Sequence, residues 1–358
     1  MNLLDSSLYR ADLARAIGGF SLAPLKDKRI LITGGFGLIG SSIVDLLILA
    51  NEQLDLGLTI YVAARSRTKY EESYRNYHFV EFVQYDATQA LSFHFPVDYI
   101  IHGASPASPD QYTANPVETM LSNIQGISNL LLYAQKEQVV RVLYISSSEV
   151  YGKKETAEPF VEGVYGSVDI DAIRSSYPVS KQAAELLCKA FSSEYGVDTV
   201  IVRPGHIFGP TASPRDQRVS SDFAYKAAKH LPLVLKSSGM QERSYCYTVD
   251  AAAAILFVLL HGKSAESYNI GTDEVCSIRK MAEIYSQIGN VPLEYKEPTK
   301  EELLAFNPMN HSSLNCEKLK SLGFRSSFSV KEGLAHTCLL YTSRGAQDRS
   351  KHRCRSCS

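Results

Sequence analysis

The sequence predicts an α/β fold, a doubly wound parallel sheet followed by a smaller C-terminal α/β domain. Three observations predict it. Strand-like apolar runs alternate with helix-length segments from Lys28 onward, a glycine-rich turn joins the first run to the first helix, and the pattern loosens after Pro204. Parallel strands need crossover connections, and strands covered on both faces read as continuous apolar runs.

The elements follow in order. RILITGG (29–35) is a short β-rich run, Leu38 to Ala50 reads as a helix, and LTIYVAA (58–64) is a second strand. FVEFVQYD, VDYIIHGAS, VVRVLYISSS and VDTVIVRP follow at spacings that leave room for crossover helices. Beyond them Pro210, Pro214 and Pro232 punctuate a mixed polar stretch, before a helix signal (Ala251 to Leu260) and a strand signal (Ser267 to Ile270) return. The tail from about Thr342 carries five Arg/Lys and one Asp without apolar periodicity, so 342–358 is expected to be a disordered or non-native end.

Composition narrows the function. With 358 residues, 45% hydrophobic and 21% charged, the chain is of the soluble globular class, long enough for about two domains. Lys+Arg 37 against Asp+Glu 38 leaves no global field for nucleic acid or an anionic membrane. The most apolar stretch, Ala251 to Leu260, is far short of the roughly 20 residues of a membrane span. The acids Asp5 and Asp12 and the missing apolar core speak against a secretory signal, so a cytoplasmic protein is expected. Cys188, Cys246, Cys276 and Cys316 are scattered singly, Cys338, Cys354 and Cys357 crowd the C-terminus, and the total is odd. That argues against a disulfide framework and a zinc site.

Gly34, Gly37 and Gly40 in TGGFGLIGS lie between strand and helix. One glycine permits the tight reversal, one lets backbone N–H groups approach a pyrophosphate, and one lets the helix pack on the sheet with its N-terminus facing the anion. This is the signature of a Rossmann-type dinucleotide site, and it makes 1–205, with a return at about 240–265, the dinucleotide-binding domain and 206–341 mainly a substrate domain. A carboxylate about 20 positions onward ordinarily holds the ribose 2′-hydroxyl. Here the second strand ends Val62-Ala63-Ala64-Arg65-Ser66-Arg67, so NAD is expected and NADP stays open, the two arginines being either phosphate ligands or solvated surface charges. Asp86 either meets an adenine edge or caps a turn.

Tyr177 and Lys181 in YPVSK share one face of a helix. A neighbouring ammonium favours phenolate, so the Tyr177 pKa is expected to fall, letting it take a sugar hydroxyl proton while hydride leaves the same carbon. Ser147, ending VLYISSS, offers a further hydrogen bond to that oxygen.

TGGFGLIG, ISSSEVYG and YPVSK together resemble the extended short-chain dehydrogenase/reductase family of nucleotide-sugar epimerases, dehydratases and decarboxylases, over about Arg29 to Tyr341. HGASPASPDQYTANPVETMLSNIQG, SSSEVYG, QRVSSDF and GMQERSYCYTVD are most similar to its UDP-glucuronate-decarboxylating branch. The resemblance implies catalytic roles for Ser147, Glu149, Tyr177, Lys181 and Arg243. It adds Phe36, Leu38, Ile39, Arg65, Asp86, Ala87 and Ala104 to the cofactor site, and puts Ser105, Ser148, His206, Arg218 and Arg243 at the substrate. It further implies bound NAD, a nucleotide-sugar substrate and a homodimer; no metal is expected. A dehydratase of the family carries Asp where this chain has Ser148, which disfavours dehydration, and Glu149 tilts the choice from 4-epimerisation toward decarboxylation. The alternatives are a 4-epimerase, a 4,6-dehydratase or, in a different class, a non-catalytic dinucleotide-binding sensor or scaffold. Asn123 is either the family asparagine near the lysine or a core amide. His206 stands where relatives have asparagine and reads as structural rather than catalytic.

Overall fold

The computed structural model describes residues 2–355 except 92, 108, 214, 215, 217 and 300–310, and no side chains at 109, 110 or 343–355. Its main sheet is built from β1 (Arg29–Thr33), β2 (Thr59–Ala64), β3 (Val80–Gln84), β4 (Tyr99–His102), β5 (Arg141–Ile145), β6 (Thr199–Pro204) and, later in the chain, β10 (Ser267–Ile270). All pair in parallel, in the order β3-β2-β1-β4-β5-β6-β10. Strand order reverses between β1 and β4, which opens a crevice at their carboxyl ends where α/β proteins bind ligands.

Alternation along β1 explains the two covered faces. Ile30 and Ile32 enter one core with Ile43 and Leu47 of α2 (Leu38–Leu54) and Ile255 and Leu256 of α8 (Thr248–His261). Leu31 points the other way, into a core with Ile127 and Leu131 of α5 (Pro116–Glu137) and Ala184 and Cys188 of α6 (Ser176–Tyr195). Successive strand side chains alternate faces, so a sheet sandwiched by helices needs apolar residues at every position.

A smaller sheet centres on β9 (Glu242–Tyr247), which pairs with β7 (His206–Phe208), β11 (Val275–Ser277) and β13 (His311–Ser312). Its register sets Ser312 beside Arg243 and His206 beside Tyr245, gathering polar residues next to the crevice strands. The last helix runs Val330–Arg355, its side chains from 343 onward lying outside the described residues.

One helix was not anticipated. α1 (Ser7–Ile17) is capped by Ser6, buries Tyr9 and Leu13, and packs on α2 and α8. Tyr9 donates to the buried Asp45 carboxylate (3.0 Å), and Asp12 accepts from Tyr247 Oη (2.9 Å) beside His336 Nδ1 (3.0 Å). Cys188, Cys246, Cys276, Cys316 and Cys338 are free and buried, and no metal-holding group is found among the described residues. The one C-x-x-C spacing, Cys354 to Cys357, lies outside the described side chains. Among the described residues no helix is long and apolar enough to cross a membrane.

Candidate active site

The glycine turn has a shape that only hydrogen side chains permit. Gly34 has φ +72°, and a Cβ there would stand 2.7 Å from the Gly103 carbonyl oxygen. At Gly40 a Cβ would lie 2.2 Å from the Gly34 oxygen, so the first turn of α2 is pressed onto the loop. Gly37 precedes α2 without a side-chain cap, leaving the helix N–H groups for an anion. Leu38 and Ile39 pack on the core, and Phe36 stacks on Tyr74 at 5.8 Å. This cradle fits a dinucleotide pyrophosphate.

Thr33 joins the cradle to the end of β4. Its hydroxyl accepts from the N–H groups of Gly103 and Ala104 (both 3.2 Å) and faces His102 Nδ1 at 2.7 Å. Burial, then Lys181, pushes the His102 pKa down to about 3, so the ring is neutral. Ala87 is buried under Gly126, and the Ser105 hydroxyl turns to the Pro106 carbonyl. Asp86 Oδ1 accepts from the Thr88 N–H (2.9 Å) and hydroxyl (2.8 Å), which hold its carboxyl below the ordinary range. Asp86 thus caps a turn through Oδ1.

Ser147 follows β5 as N-cap of the short 3-10 turn Ser148–Tyr151, its hydroxyl accepting from the Glu149 N–H at 3.2 Å. The same hydroxyl also acts on Tyr177, favouring its phenolate. Lys181 stands one helical turn from Tyr177, donates to the Ile145 carbonyl (2.8 Å), and lies 4.7 Å from the Tyr144 ring centre. Asn123 donates to Ser180 Oγ (3.0 Å), a core amide bond between α5 and α6.

The expected acidification of Tyr177 is corrected. Burial, then the negative charge of Glu149, raises the phenol pKa, while burial pushes Lys181 down to about 7. With both groups enclosed, desolvation outweighs the attraction that the four-residue spacing suggests.

Two site residues escaped sequence reasoning. Arg174, three residues ahead of Tyr177, grips both oxygens of Glu149 (3.1 and 3.3 Å) and also reaches Tyr112 Oη at 3.3 Å. Tyr112 stacks on Tyr177 with ring centres 4.9 Å apart and planes 16° from parallel. The available signal was a lone cation entering the catalytic helix on the side that Tyr177 shares.

On the smaller sheet, Arg243 is buried on β9, donates to the Glu242 carbonyl (2.9 Å), and has its pKa lowered by burial. His206 meets Ser312 Oγ at 2.9 Å; burial, then the charges of Arg243 and Arg218, holds its pKa at about 3. Arg218 is ion-paired with both oxygens of Asp216, and its charge is felt by Tyr177. Ser148 is half-buried beside Ser147. The described geometry therefore converges Ser147, Glu149, Tyr177 and Lys181 from the main sheet, with Arg218, Arg243 and His206 clustered at the smaller one.

A family model for the NAD dependent epimerase/dehydratase family matches residues 30–271. The chain belongs to this family. Membership makes it an NAD-dependent enzyme, consistent with the cradle above. It is 32% identical over 311 residues to UDP-glucuronic acid decarboxylase 3 of Arabidopsis thaliana, covering 86% of this chain and 87% of that protein. To UDP-glucuronic acid decarboxylase 1 of Xenopus tropicalis it is 32% identical over 73% of this chain, spanning 60% of that protein's length. Among solved structures it is similar to a dTDP-glucose 4,6-dehydratase of Streptomyces venezuelae, solved with NAD bound, at 26% identity and TM-score 0.74, covering 88% of this chain and 97% of that one.

Proposed function

We propose that the protein decarboxylates UDP-glucuronate to UDP-xylose through a 4-keto sugar. Glu149 is the observation that carries this reading. Its carboxylate is held by the Arg174 fork two residues after Ser147, while the intervening position, acidic in the dehydratases, is Ser148. Similarity to two UDP-glucuronic acid decarboxylases supports the choice.

NAD, when bound, supplies a hydride acceptor and a cationic ring. The Tyr177 phenolate, which burial and Glu149 disfavour, is favoured by that cationic ring and by the Lys181 ammonium below its pKa of about 7. The phenolate takes the proton of the sugar C4 hydroxyl as hydride leaves C4, and Ser147 hydrogen-bonds the same oxygen. The resulting C4 ketone stands β to the C5 carboxylate. The C5–carboxylate bond breaks, carbon dioxide leaves, and the electron pair passes into an enolate to which Ser147 and protonated Tyr177 donate. Water ordered by Glu149 and Arg243 returns a proton to C5, and Tyr177 gives its proton back to the C4 oxygen as that carbon regains the hydride the reduced cofactor would supply. Arg218 and Arg243, whose charges help keep His206 neutral, suit a sugar diphosphate.

We also propose a homodimer formed through α5 and α6. Val117, Leu121 and Leu132 are exposed along one face of α5, and Leu186 on the adjoining α6 is 67% exposed. The primary test incubates purified protein with UDP-glucuronate and measures carbon dioxide and UDP-pentose. Tyr177→Phe should abolish both and retain dinucleotide. Turnover of UDP-galactose or dTDP-glucose without turnover of UDP-glucuronate would move the assignment to epimerase or dehydratase.

A further inference from the structure

Resting on the dinucleotide reading of the cradle, we infer that Arg65, with Lys69, forms a seat for a 2′-phosphate. The site would then take the 2′-phosphorylated nicotinamide dinucleotide as well as NAD. Position comes first. The Gly34 N–H donates to the Ala63 carbonyl at 3.2 Å, fixing the cradle to β2 two residues before Arg65. Arg65 therefore leaves the sheet at the carboxyl edge where the adenosine ribose of a dinucleotide lies. Its own backbone is pinned by Gln84 Nε2 on its carbonyl at 3.0 Å.

Charge comes second. Val62 to Arg67 contains no carboxylate, so the usual acceptor for a ribose 2′-hydroxyl is missing. Arg65 is exposed, and its guanidinium enters no ion pair among the described residues. The contrast with Arg67 is informative. That side chain is held by Glu71 at 2.6 Å and lies over the rings of Tyr70 and Phe82 at 5.6 and 5.7 Å. One arginine of the pair is thus occupied by the protein and the other is available. Asp86, the acid whose charge Arg65 affects, has Oδ1 committed to the Thr88 turn.

A second cation completes the seat. Lys69 on the short helix Thr68–Ser73 places Nζ 3.4 Å from the Phe36 carbonyl, inside the cradle turn itself. An arginine fork and a flexible ammonium, both at the rim of the cradle, match the three oxygens and near-double charge of a phosphomonoester. Nothing comparable is offered to an uncharged 2′-hydroxyl.

Two ligands that differ only by the 2′-phosphate isolate the claim: 2′,5′-ADP and 5′-AMP. Protein freed of carried-over nucleotide by charcoal is titrated with each by calorimetry. The expected result is at least tenfold tighter binding of 2′,5′-ADP, with a preference that shrinks as salt rises. Arg65→Ala should remove the preference, and Arg65→Asp should reverse it. Equal affinities in the unaltered protein would overturn the phosphate seat and leave the dinucleotide reading standing. Failure of both ligands to bind would overturn the dinucleotide reading and this inference with it.

Discussion

Replacing Arg174 by Gln tests whether the fork on Glu149 matters to the chemistry. The side chain becomes two atoms shorter, losing both its reach to Glu149 and its charge. Each Glu149 oxygen now meets one guanidinium nitrogen, at 3.1 and 3.3 Å. Hydrogen bonds to charged groups contribute about 1.5–3 kcal/mol, and partial exposure pulls such pairs to the lower end. The Arg174 side chain is 39% exposed and that of Glu149 21%, so about 1.5–2 kcal/mol of orientation is at stake. At about 1.36 kcal/mol per decade, this is roughly a ten- to thirtyfold fall in kcat/KM. Carbon dioxide release from UDP-glucuronate measures it, with thermal unfolding as the check that the fold survives. Arg174→Lys, which keeps the charge without the fork, should fall between. If Arg174→Gln turns over within twofold of the unaltered enzyme, Glu149 does not depend on this contact and its assigned role fails.

Other expectations follow from burial and geometry. Gly40→Ala sets a methyl against the Gly34 carbonyl, so dinucleotide retention should drop at least tenfold in equilibrium dialysis; retention at the original level would show that the loop can yield. Lys181 binds a proton with a pKa of about 7 when folded, against an ordinary 10.5. Between those values the unfolded chain holds the proton and the folded chain does not, so stability rises with pH across that window and is flat below it. Urea unfolding at pH 7 and pH 9 should show a gain on the order of 2 kcal/mol that Lys181→Met lacks. Leu186→Glu should turn a sedimenting dimer into a monomer, and an unaltered protein already monomeric at micromolar concentration would refute the α5–α6 pairing.

The main sheet was readable because its strands are apolar at nearly every position, from RILIT to the wholly buried TVIVRP. The glycine cradle was equally plain, since its spacing and its place between strand and helix mean little else. The smaller sheet was harder: β7, β11 and β13 span only two or three residues each, too short for a period to register. Helix α1 was missed although Ser6 and the buried Tyr9, Leu13, Ala16 and Ile17 give a cap and a helical stripe. Arg174 and Tyr112 were missed because their partners are brought together only by folding. Tyr177 shows the opposite failure. The four-residue spacing to Lys181 is legible along the chain, but the penalty of enclosing both groups depends on everything packed around them.

The Ser147 hydroxyl bears on two functions at once, accepting the Glu149 N–H while favouring the phenolate of Tyr177. Acid placement and base placement are therefore geared to a single rotor. Kinetic losses on altering Ser147 will not partition into separate contributions, and only thermodynamic cycles combining it with Glu149 and Tyr177 can tell how tightly the gearing meshes.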